Sequence, residues 1–154
     1  MAKVTNEIMI ENAEIRFRNF SGAKDQYNPN GKRSFVVLLN PDDAVGLSED
    51  GWNVKYLKPL EEGDAPRPYL NVEVKYGVAP PVITVISGHK KSRIDEETVG
   101  MLDWAEIENV DLIIRPYNWE MSGKTGVKAY LKKMYVTIKV DKFEEKYADF
   151  EDNE

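Results

Sequence analysis

Arg115, Tyr117 and Trp119 stand two residues apart, and so do Lys128, Tyr130 and Lys132 a little further on. In an extended strand, side chains two apart share a face, so each triplet sets rings and cations side by side. Such an array suits unpaired nucleic-acid bases, because the rings stack on exposed base faces while the cations pair with backbone phosphates. Arg16, Arg18 and Phe20 repeat the pattern near the start of the chain, and Trp52, Lys55 and Lys58 give a looser version of it. Tyr27, Lys32, Arg33, Lys90, Lys91, Arg93 and Lys124 fall in segments read as loops and add mostly positive charge. Tyr and Trp are also good strand residues, and Lys or Arg between them serves equally as a solvated outer face. A carbohydrate- or peptide-binding surface would show similar rings. The pattern alone therefore gives a binding face and leaves its ligand open.

The same inventory is poor in catalytic groups. The 154 residues contain no cysteine and one histidine, His89. Thiolate metal sites, cysteine nucleophiles and disulfide scaffolds are excluded, and any histidine triad or metal site needs completing by carboxylates alone. His89 lies in Ser-Gly-His-Lys-Lys and reads as an exposed loop residue. Carboxylates are plentiful but fall in helix starts, loops and the C-terminal segment, and no paired acid/base arrangement stands out. Gly123-Lys124-Thr125 has the ending of a phosphate-binding loop, yet the position five residues earlier, which must be glycine, is Asn118, and a strand follows instead of a helix. The expectation is a binding protein without enzymatic activity, metal or cofactor.

The net charge of −6 argues against nucleic acid until it is divided along the chain. Of 27 acids and 21 bases, seven acids and two lysines lie in residues 141–154, which leaves 20 acids and 19 bases in residues 1–140. The body is thus nearly neutral and can own a basic groove, since phosphate affinity follows local charge. Two units are expected: a binding domain over 1–140 and an acidic, flexible tail over 141–154. No apolar run is long enough for a signal peptide or a membrane span, so a cytoplasmic location is expected.

The elements that must carry these residues are mostly strands. Two-residue alternation recurs over 14–20, 69–76, 110–119 and 127–140, while 33–39 (RSFVVLL) is apolar on both faces and reads as central. Shorter runs at 52–58 and 82–86 also read as strands, the latter after the Pro80-Pro81 break. Asn40-Pro41-Asp42-Asp43 starts a short helix, and 95–106 reads as the best helix, with Val99, Leu102 and Trp104 inward. The two last strands form a hairpin around a loop at 121–126. The fold expected is mainly β: an OB-like antiparallel barrel of five to six strands, one or two short helices and an extended terminal hairpin.

The string VDLIIRPYNWEMSGKTGVKAYLKKMYV (110–136) resembles the C-terminal part of phage-encoded single-stranded DNA-binding proteins. FRNFSGAKDQYNPNGKRSFVVLL followed by DGWNVKYLKP is similar to the N-terminal half of the same family. The resemblance covers most of 17–140. It implies an OB fold, sequence-independent binding of single strands, and a role in phage replication, recombination or repair in the host cytoplasm. Residues matching the family pattern are Arg18, Phe20, Arg33, Trp52, Lys55, Arg115, Tyr117, Trp119 and Tyr130. Lys32, Lys124 and Lys128 join them as expected DNA contacts. In plan the chain is similar to the T7-type helix-destabilising proteins, whose acidic tail meets replication partners and competes with DNA. Those tails end on an aromatic or apolar residue, whereas this chain ends Phe150-Glu151-Asp152-Asn153-Glu154. Tyr147 or Phe150 would have to substitute. The alternative is a β-rich protein-interaction or virion component whose aromatic face docks another chain.

Overall fold

The computed structural model describes residues 4–77 and 79–140. The acidic segment 141–154 lies outside the described residues, and with it the expected tail. Nine strands form one sheet among the described residues: β1 (Ile8–Ile10), β2 (Ile15–Asn19), β3 (Ser34–Leu38), β4 (Lys55–Leu57), β5 (Arg67–Glu73), β6 (Val82–Ser87), β7 (Lys90–Ile94), β8 (Ile107–Met121) and β9 (Lys124–Ile138). The class is β, as the alternation predicts.

Three details of the expected architecture are corrected. The sheet holds more strands than five or six, because β1 is only three residues long and β7 (KKSRI) is too charged to read as a strand. The sheet is also mixed, and it is not closed as a barrel. Its order runs β1-β8-β9-β5-β3-β2, with β4 on β5 and the β6–β7 pair on β9. No ladder joins β1 to β2. The chain between them touches both ends of the sheet instead: Ala13 N donates to Val110 O, and Leu38 N donates to Glu14 O.

Strand β9 organises this topology. One edge pairs with β8 along nearly its whole length. The other edge is shared end to end, by β5 at Ala129 and Tyr130 and by β6 from Lys133 to Ile138, both in parallel. β5 and β6 thus behave as one strand interrupted at Pro80-Pro81, where neither proline can donate to a ladder. Opposite Ile113 and Ile114 the partners are Lys133 and Leu131, so Lys132 is an extra, bulged residue. The bulge resets the alternation. Ala129 and Leu131 before it and Met134 and Val136 after it all enter the core.

That core also takes Phe20, Phe35, Val37, Leu70, Val72, Ile83, Val99, Leu102, Val110, Leu112 and Ile114. β3 is buried on both faces, as its composition predicts.

Helix α1 (Pro41–Asp50) forms where expected, with Asn40 Oδ1 accepting from Asp42 N at 2.9 Å and Gly51 closing it at φ 109°. The helix expected over 95–106 is a correction. Only Val99–Asp103 is helical, as a 3₁₀ helix that follows a turn at 96–98. The Asp95 carboxylate caps the segment, accepting from the backbone of Glu97 and Thr98 and from the Thr98 hydroxyl. The 3₁₀ turn then closes tightly at Trp104 N to Met101 O, and the Arg18 guanidinium takes the Leu102 and Ala105 carbonyls. Val99 and Leu102 are buried as expected, but Trp104 is 88% exposed.

Candidate nucleic-acid interface

β8 and β9 meet at a two-residue turn, Ser122-Gly123, with φ of 52° and 79°. Positive φ at both positions is what a tight type I′ hairpin turn requires, so the strands run nearly to the turn and leave no longer loop. The register that follows sets Arg115 opposite Tyr130, Tyr117 opposite Lys128 and Trp119 opposite Gly126. Inward residues on these strands belong to the core, so these six positions share the outer face.

There the rings form a graded stack. Tyr117 and Tyr130 lie 4.8 Å apart at an interplanar angle of 12°, and the Arg115 guanidinium sits 5.1 Å from the Tyr130 ring. Tyr130 is only 9% exposed while Tyr117 is 45% exposed. Tyr130 therefore supports the pair, and Tyr117 offers the open face. Burial, reinforced by the Glu73 charge, holds the Tyr130 phenol above its ordinary pKa. The Trp119 indole lies flat over Gly126, where a Cβ would come within 2.5 Å of the ring. Gly126→Ala is expected to lift the indole from the strand, shift Trp emission and weaken single-strand binding several-fold with the thermal midpoint nearly unchanged.

One carboxylate underlies this face. Glu73, 8% exposed, reaches Lys128 at 3.6 Å and Lys75 at 3.9 Å. Lys55 borders the same shallow groove with Asn71 and Lys128. Lys124 opens β9 beside the turn, exposed. Thus Arg115, Tyr117, Trp119, Lys124, Lys128, Tyr130 and Lys55 come together on or beside one face.

The remaining expected contacts lie elsewhere. Phe20 is fully buried and stacks on Phe35 at 5.2 Å, and Trp52 is 4% exposed. Neither presents a ring to a base. Arg18 Nη1 donates at 2.8 Å to both Leu102 O and Ala105 O, closing the 3₁₀ turn. Arg33 donates to Phe20 O and Glu96 O, pairs with Glu96 at 3.7 Å and lies 5.4 Å from the Tyr76 ring. Only Lys32 of that group is simply exposed. Periodicity does not single out Gly126, whose role shows only once the two-residue turn fixes it opposite Trp119, or Glu73, which alternation over 69–76 places on the polar side with Asn71 and Lys75. Among the described residues no cluster of acids or histidines fits a metal ion, and no helix is long and apolar enough to cross a membrane.

Comparisons with known proteins bear on the fold and the family. No curated protein sequence matches the chain. Three solved structures of the single-stranded DNA-binding protein from bacteriophage Enc34 share its fold at a TM-score of 0.54 and 12% identity. One aligns over 84% of this chain and 79% of its own, and a C-terminal truncation over 86% and 85%. The structure in complex with single-stranded DNA aligns over 84% and 85%. The family model described as "Putative phage ssDNA-binding domain" matches residues 1–154, and the chain therefore belongs to the phage single-stranded DNA-binding domain family.

Proposed function

We propose that the chain binds single-stranded DNA without sequence preference through the outer face of the β8–β9 hairpin. The observation that carries this reading is the open Tyr117 ring, backed by Tyr130 and flanked by Arg115, Lys128 and the flat Trp119 indole. Every base has a π-face, so such a platform is indifferent to sequence. Lys55, Lys124 and Lys128 supply phosphate contacts, with Lys32 a more distant one. Arg18 and Arg33 act chiefly by holding the fold, and Phe20 and Trp52 as core. Family membership supports the ligand. The broader role is to coat single strands during phage DNA replication, recombination or repair, with residues 141–154 contacting partner proteins and competing with DNA.

The test is a salt titration of oligo-dT binding. The logarithm of affinity should fall linearly with the logarithm of salt, with a slope of roughly −0.7 per phosphate neutralised, and a duplex of equal length should bind more weakly. Salt-independent affinity, or none for single strands, would favour a protein-docking face instead.

A further inference from the structure

Beyond the bulge at Lys132, the outer face of β9 continues as Lys133 and Tyr135. β6 aligns Val82 with Lys133, Thr84 with Tyr135 and Ile86 with Thr137. β7 in turn sets Arg93 opposite Thr84 and Lys91 opposite Ile86. Met134, Val136, Ile83 and Val85 all enter the core, so Lys133, Tyr135, Arg93 and Lys91 share the face that carries Tyr117 and Tyr130. None of this is visible in the sequence, where Lys91 and Arg93 read as a loop and the bulge breaks the alternation.

The cations there are concentrated and unopposed. Lys133 Nζ lies 5.2 Å from the Tyr135 ring centroid, and the ring is 38% exposed. Among the described residues no carboxylate forms an ion pair with Lys91, Arg93 or Lys133, and neither β6 nor β7 contains an acid. The acids nearest in register are Asp111, opposite Tyr135, whose carboxylate accepts from Asn12 N at 2.9 Å and Asn109 Nδ2 at 3.3 Å, and Asp95, two residues past Arg93, whose Oδ1 accepts from Glu97 N, Thr98 N and the Thr98 hydroxyl, each at 3.0 Å. The Tyr135 phenol is held below its ordinary pKa, first by the Lys133 hydrogen bond and then by the charges of Lys133, Arg93 and Lys91. Like charges gathered without counter-ions repel one another, and a polyanion laid across them relieves that repulsion.

We infer that Tyr135, Lys133, Arg93 and Lys91 form a second single-strand subsite, in which Tyr135 stacks a base and the three cations hold the phosphates beside it. The inference rests on the hairpin reading and extends it. At a strand rise of about 3.3 Å per residue, Tyr135 lies roughly 15 Å along β9 from Tyr130. One DNA strand therefore reaches both only when it is several nucleotides long.

The experiment compares oligo-dT of about 4 and about 16 nucleotides, the range that one such fold accommodates, on the full chain. A Lys91→Ala/Arg93→Ala/Tyr135→Ala variant should bind the short oligonucleotide within twofold of the parent and the long one at least tenfold more weakly. Its salt slope on the long strand should be shallower by roughly 1.4, at about 0.7 per lost cation. Tyr135→Phe keeps the ring and should bind both as the parent does. Parent-like or tighter binding of the long strand by the triple variant overturns the subsite, the tighter case assigning it to the acidic segment 141–154. Trp119→Ala is run alongside: a normal result there overturns the hairpin reading, whereas a weakened Trp119→Ala beside an unchanged triple variant overturns the second subsite alone.

Discussion

Replacing Trp119 by alanine is expected to weaken oligo-dT binding by about 5- to 150-fold, since one stacked base contributes about 1–3 kcal/mol. The indole lies on the strand surface over Gly126 and outside the core cluster, so its removal leaves hairpin and core packing in place. Circular dichroism and the urea midpoint should match those of the parent. Tyr117→Ala should act in the same direction, because it removes the open ring of the Tyr117–Tyr130 pair. Trp104→Ala provides the control: this tryptophan is 88% exposed but sits just after the 3₁₀ turn, beside Ile138 and Lys139 at the end of β9 opposite the Ser122-Gly123 turn, and its loss should leave affinity unchanged. Equilibrium titration by anisotropy of a labelled oligo-dT measures all three.

Phe20→Ala should do the reverse, costing about 3–5 kcal/mol of folding stability, the usual result of truncating a buried phenylalanine. Phe20 is fully buried against Phe35, its N–H is held by the Asp103 carboxylate at 2.6 Å, and its carbonyl accepts from Arg33. Urea unfolding should show a lower midpoint with a similar slope, and the molecules that remain folded should bind oligo-dT as the parent does. A stable variant with weakened binding would return Phe20 to the DNA face.

The misplacement of Phe20 shows what sequence periodicity can and cannot resolve. Strict alternation puts Arg16, Arg18 and Phe20 on one face. In the structure the β2–β3 register shifts between Arg16 and Asn19, where Phe17 adopts a φ of 52°, and Phe20 turns inward beyond that irregularity. A left-handed phenylalanine is costly, and nothing in its sequence context announces it. Arg18 likewise looked free until the 3₁₀ turn brought two carbonyls to its guanidinium. By contrast, 110–119 alternates without interruption, so Arg115, Tyr117 and Trp119 were legible as one face. So was the partner strand as far as Tyr130, up to the bulge at Lys132. The short helix after Asn40 was legible because cap, proline and acidic first turn agree. Parallel pairing of β5 and β6 on β9 depends on contacts more than 40 residues apart in sequence, which local patterning does not encode.

The most direct measurement follows the emission of Trp119 itself. In a Trp104→Phe background the only other tryptophan is Trp52, which is 4% exposed, so quenching on addition of oligo-dT reports the hairpin face. Saturable quenching that reverses with added salt and disappears in Trp104→Phe/Trp119→Phe is the predicted result. Undiminished Trp119 emission at oligo-dT concentrations where anisotropy shows the strand fully bound would contradict it, and would move the DNA to another face of the sheet.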